Sequence, residues 1–125
     1  MAELDVTPAS DASLIANATA WLDAEPDADI RDELSLLIVA AQTGDVTALA
    51  ERFAGRLQFG TAGLRAAVAA GPMRMNRLVV RQAAAGLGRW LLDGEASGEI
   101  PDAARRGVVL AHDARATPPG CPPRR

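Results

Sequence analysis

Apolar and polar positions divide the chain into two regimes, a helical periodicity up to about residue 54 and a shorter, glycine-punctuated rhythm after it. Leu14, Ile15, Ala18, Trp21 and Leu22 recur every three to four residues behind Ser10 and Asp11, which predicts an amphipathic helix over residues 11–24. The "EPDAD" stretch then breaks it, because Pro26 cannot extend a ladder of helical hydrogen bonds. Ile30, Leu34, Leu37, Ile38 and Ala41 mark a second helix, its first turn crowded with acids where the helix dipole favours them and Gly44 beyond its end. A third, short helix runs from Asp45 through Leu49 and Phe53.

From Arg56 the rhythm changes. "RLQFGT" reads as a short strand, the glycines turn the chain, and "LRAAVAAG" is a second extended candidate ended by Gly71-Pro72. Asn76 is placed to cap a helix with the apolar face Val79, Ala83, Leu87, Trp90 and Leu91, and "DGEASGEIPD" reads as a polar connector. "RGVVLAHD" is the next strand, and its unbroken apolar centre, Val108 to Ala111, predicts burial on both faces of a helix-covered sheet. The expected fold is therefore α/β, with N-terminal helices over residues 1–54, a partial α/β unit over 55–115, and an aberrant proline-rich tail over 116–125. That tail, "ATPPGCPPRR", supports neither a helical face nor a strand ladder.

Composition changes this picture in three ways. With 125 residues there is room for one modest core, and an aromatic content of 3% without tyrosine makes that core mostly Ala, Leu and Val. Net charge is −3 overall but uneven: residues 1–33 hold nine acids and one arginine, and the remainder holds seven acids and twelve arginines. The acidic average argues against nucleic-acid binding, whereas arginines around glycine turns suit a small anionic ligand such as phosphate. Cys121 is the only cysteine, which excludes an internal disulfide and any multi-cysteine zinc site. No apolar run approaches a membrane span and "MAELDVTPASD" is not a signal peptide, so the expected location is cytoplasmic, with no membrane partner.

The candidate chemistry lies in "FGTAGLR". Gly60 and Gly63 allow backbone N–H groups to approach a ligand, Thr61 offers a hydroxyl, and Arg65 provides a planar fork matched to phosphate oxygens. Spacing alone leaves two readings open, an ordinary structural turn and an anion-binding loop. It is not a P-loop, since no Lys-Ser/Thr pair follows the glycines.

"LQFGTAGLRA", then "AGPMRMNRLVVRQAAAGLGRWL", then "GVVLAHDAR" resembles, in order and spacing, the first domain of the phosphohexomutases, the phosphoglucomutase and phosphomannomutase family. "WLDAEPDADIRDEL" is similar to the N-terminal helices of its bacterial phosphoglucomutase-like branch. The resemblance covers about residues 14–115. It implies an incomplete α/β/α first domain, a mixed sheet flanked by helices, from an intramolecular phosphotransferase that moves phosphate between C1 and C6 of a hexose. In the complete enzymes an active-site phosphoserine and magnesium serve that isomerase chemistry; the hexose phosphate is the implied partner. Carried over by position, Arg65 faces the phosphoserine or substrate phosphate, while Gly60, Thr61 and Gly63 line the substrate loop. Asp113 and Arg115 match the strand-end Asp-x-Arg. Ala66 stands where the family usually has glycine, and Met73 where Asn is common.

The sequence contains no Thr-Ala-Ser-His-Asn-Pro loop. The expected state is therefore an inactive fragment with no metal site and no cofactor of its own, of poor solubility and able to associate through an uncovered sheet edge. The proline-rich composition after Arg115 reads as a frameshifted or truncated coding sequence. The alternative is a non-catalytic module that binds a sugar phosphate or a protein partner. Three further patterns read as decoys: "DADIRD" (Asp27–Asp32) for a magnesium loop, "GEASG" (Gly94–Gly98) for a sugar-recognition loop, and the lone His112 for a base.

Overall fold

Among the described residues the first helix starts where the sequence places its first cap. The computed structural model describes residues 10–111, which contain α1 (Asp11–Ala24), α2 (Ala28–Gln42), α3 (Thr47–Arg52), α4 (Arg77–Ser97) and α5 (Ala103–Arg106). Ser10 caps α1 by accepting the Ser13 N–H at 3.3 Å, and the helix ends at Glu25, whose N–H reaches back to Trp21 and Leu22 before Pro26. Asp27 then caps α2 through the Asp29 N–H at 3.2 Å. Gly44, with φ of +108°, takes the left-handed conformation past its end.

The residues up to Arg81 form one compact unit and those from Gln82 a second. In the first, α1, α2 and α3 pack mutually and bury the positions that periodicity assigned: Leu14, Ala18 and Trp21, Leu34, Ile38 and Ala41, and Leu49. Leu34 and Leu49 are fully buried, each contributing about 1.5–3 kcal/mol of transfer free energy. Trp21 meets Phe53 edge to face with centroids 6.1 Å apart, so much of the chain's sparse aromatic content sits at one contact. Ala70, Leu78 and Val79 complete this core from outside the trio.

Glu25, only 1% exposed, lies under the α1–α2 turn and accepts the Asp27 N–H at 3.2 Å. Burial pushes its carboxyl above the ordinary carboxylate value; the Asp27 hydrogen bond and the charges of Arg77 and Arg31 oppose that, while the Asp27 carboxylate adds to it.

The mixed sheet expected from the sequence is not formed. Among the described residues the β structure consists of two isolated bridges, Gly60 with Gly63 (antiparallel) and Val68 with Met75 (parallel), and helix dominates. The reason is that a strand exists only through its partners. The "RLQFGT" and "LRAAVAAG" segments direct their backbone groups into local contacts: Leu57 N–H to Pro72 O at 3.3 Å, and Met75 N–H to Ala67 O at 2.9 Å. Val108, Val109 and Leu110 are 60%, 97% and 86% exposed, the opposite of the predicted two-sided burial. An apolar run records a preference for burial, and only a covering face can realise it.

In the second unit, α4 continues to Ser97, through the first half of the expected connector. An Arg89–Asp93 pair at 3.0 Å supports it at helical spacing. Gly94 is tolerated because Ile100 folds back over it: a β-carbon there would lie 2.7 Å from Ile100 Cδ1, and the Ile100 N–H donates to Gly94 O at 3.0 Å. No helix among the described residues is long and apolar enough to cross a membrane.

Candidate functional site

The glycine-rich loop is a closed bend. Gly60 and Gly63 exchange both backbone hydrogen bonds at 3.2 Å, enclosing Thr61 and Ala62. Neither central residue has positive φ; the left-handed position falls on Gly63, at φ +91°, which lets the chain leave the turn without splaying. Each glycine N–H is thus taken up by the carbonyl of the other in this conformation. Thr61, Ala62 and Arg65 are exposed, and among the described residues they form no side-chain hydrogen bond or ion pair. The guanidinium of Arg65 stands at the surface and is not absorbed into helix packing.

What fixes this loop lies beneath it. Leu57 N–H donates to Pro72 O at 3.3 Å, closing a neck below residues 58–71 in the manner of a compact Ω-loop. The descending limb passes over α3, where Arg52 O accepts the Met73 N–H at 3.1 Å. Gly71, at φ +101°, crosses so close that a β-carbon would lie 2.9 Å from Arg52 Cβ and 3.1 Å from Arg52 O. Arg52 Nη1 donates to Glu33 Oε1 at 2.7 Å and to Ala70 O at 3.0 Å, and Glu33 Oε2 accepts the Ala70 N–H at 3.1 Å. Asn76 Nδ2 holds Ala69 O and Gly71 O at 3.0 and 2.8 Å while its Oδ1 caps α4 through the Val79 N–H at 2.9 Å. Arg74 pairs with Glu51 on α3. Sequence reasoning found Asn76 as a cap but missed Glu33 and Arg52; their positions on helical faces carry no local sign of a partner in the loop.

The decoys resolve in structural terms where they are described. Asp27 of "DADIRD" is a helix cap. In "GEASG", Gly94 seats Ile100, Gly98 takes φ +83° at the helix end, and Glu95 Oε2 accepts the Ala104 N–H at 3.3 Å at the start of α5. His112, Asp113, Arg115, Cys121 and the proline-rich tail lie outside the described residues. For the magnesium that the resemblance implies in complete enzymes, the described residues hold no group of three or more His, Cys, Asp or Glu side chains able to bind it.

The closed glycine bend thus presents an exposed arginine on a braced loop, and sequence comparison finds relatives among sugar-phosphate mutases. The chain is 41% identical over 95 residues to a probable phosphoribomutase of Schizosaccharomyces pombe, an alignment covering 76% of this chain and 15% of that protein. It is 36% identical over 108 residues to the phosphopentomutase of Mus musculus (86% of this chain, 16% of the relative), and 44% identical over 71 residues to the phosphoribomutase of Saccharomyces cerevisiae (57% and 10%). The chain therefore spans about a sixth of the length of the first two of these relatives. No family model matches the chain, and no solved structure matches it significantly. These relatives are sugar-phosphate mutases, the coarser class that the resemblance implied, and their names give a pentose or ribose where the resemblance gave a hexose.

Proposed function

We propose that the chain is the arginine-loop segment of a pentose-phosphate mutase, and that Arg65, with the Thr61 hydroxyl beside it, contacts the phosphate of a phosphopentose. The observation that carries this reading is the exposed Arg65 guanidinium on a loop closed at its neck and braced from two helices. A guanidinium presents two parallel N–H groups to phosphate oxygens, and it does so most effectively when the backbone that carries it is already ordered. The relatives' names support a pentose as the sugar.

The reaction of such a mutase transfers a phosphoryl group between two oxygens of one sugar. The 125 residues include no copy of the serine loop that the resemblance makes the phosphoryl carrier, so the role assigned to them is binding and charge stabilisation, not transfer.

Calorimetry of the full chain with ribose 5-phosphate tests the reading. Saturable binding is expected, absent with ribose, and weakened about 10- to 100-fold by Arg65→Ala, the range of a charge-assisted contact of roughly 1.5–3 kcal/mol. Equal affinity of wild type and Arg65→Ala would remove Arg65 from the site.

A further inference from the structure

We infer that Glu33 and Arg52 are the positioning residues of the arginine loop: a carboxylate from α2 and a guanidinium from α3 jointly clamp both backbone groups of Ala70 and thereby fix where Arg65 stands. The inference rests on the phosphate-contact reading of Arg65 for its functional meaning, and on geometry alone for its structural content.

Three observations converge on the clamp. Ala70 is fully buried, and its N–H and C=O are held by different side chains, Glu33 Oε2 at 3.1 Å and Arg52 Nη1 at 3.0 Å. The two side chains are themselves joined at 2.7 Å, so the arrangement is a closed ring in which each member satisfies two others. The backbone beside the ring is shaped to permit it: Gly71 lies against Arg52 at a distance no side chain would allow, and the Met73 N–H returns to Arg52 O.

Ala70 is five residues beyond Arg65, and Pro72, which closes the loop's neck on Leu57, is two residues beyond Ala70. Loss of the ring would release one end of the loop while leaving the Gly60–Gly63 bend intact. Arg65 would then sample many positions, and a ligand would have to order it on binding. The pair is thus assigned a role in affinity that acts through Arg65, without touching the ligand.

Limited trypsin digestion of the full chain tests this, because trypsin cleaves after Arg65 and also after Arg89 on α4, which gives an internal reference. The quantity to read is the ratio of cleavage rates at the two sites. Arg52→Met is expected to raise that ratio about tenfold and Glu33→Gln, which keeps one acceptor for the ring, to raise it less. Leu49→Ala, which perforates the helical core without touching the ring, serves as the control for general loosening. A ratio in Arg52→Met equal to wild type, or an equal rise in Leu49→Ala, would overturn the inference.

The second arm is the affinity for ribose 5-phosphate, which Arg52→Met is expected to weaken about tenfold although the Arg65 side chain itself is unaltered. If wild type binds no ribose 5-phosphate, the phosphate reading fails, and the digestion ratio still decides whether the ring positions the loop. If wild type binds and Arg52→Met binds equally well, the positioning role fails although the phosphate reading stands.

Discussion

Asn76 is 5% exposed, and its side chain serves two structures at once: Oδ1 accepts the Val79 N–H at the start of α4 while Nδ2 donates to two loop carbonyls. The contributions separate by substitution. Asn76→Ala removes the cap, worth about 1 kcal/mol, and leaves Ala69 O without its donor, a further 1–3 kcal/mol or so, while Gly71 O still accepts the Arg74 N–H at 3.2 Å. Asn76→Ser restores an N-cap acceptor but is too short to span both carbonyls, so urea denaturation should show it recovering roughly 1 kcal/mol of the alanine loss. Glu25 makes a different kind of prediction. Its carboxyl is raised in the folded state, so the folded chain binds the proton more tightly than the unfolded one. The sign follows: the contribution of Glu25 to stability is fully present below the ordinary value of 4.5, is lost as pH rises from there through the folded value, and changes no further above it. Glu25→Gln should abolish that decline, read as a urea midpoint that no longer drops across this interval.

At the level of elements, two glycines with the same conformational need differ in cost. Gly63 and Gly71 both hold positive φ, +91° and +101°, but a β-carbon at Gly63 meets nothing within 4 Å, whereas at Gly71 it collides with Arg52. Gly63→Ala should therefore lose only the left-handed penalty of about 1–2 kcal/mol, and Gly71→Ala distinctly more, with the excess visible in thermal melts. The same contrast explains what could be read in advance. The first three helices and the fourth helix's cap were legible because their signals are local: a cap, a period near 3.6, a proline or glycine stop. The sheet was misread because a strand's signal is a promise of neighbours, and "GVVLA" reads identically whether or not a ladder forms beside it. The loop's bend was legible from Gly60 and Gly63, yet its bracing was not: Glu33 lies 37 residues from Ala70 and Arg52 lies 18, distances at which spacing carries no information. The last five residues of α4, Asp93 to Ser97, were missed since Gly94 and Ser97 look like loop residues, although one glycine in a helix costs only about 1 kcal/mol.

Across the whole chain, acids and arginines segregate: the helical N-terminus carries most of the acids and the loop and later segments most of the arginines. Electrostatics therefore favours an anion reaching the arginine loop over one approaching α1 and α2, in keeping with the proposed phosphate ligand. The aromatic residues are distributed just as unevenly, with Trp21 8% exposed against Phe53 and Trp90 62% exposed on α4. That asymmetry makes the protein its own two-colour reporter: emission from indole in the packed trio should be blue-shifted and resist iodide, while the other indole emits to the red and is quenched. With Trp90→Phe, the remaining fluorescence would follow the melting of the helical trio alone, so the unfolding of the first compact unit becomes visible without any added dye.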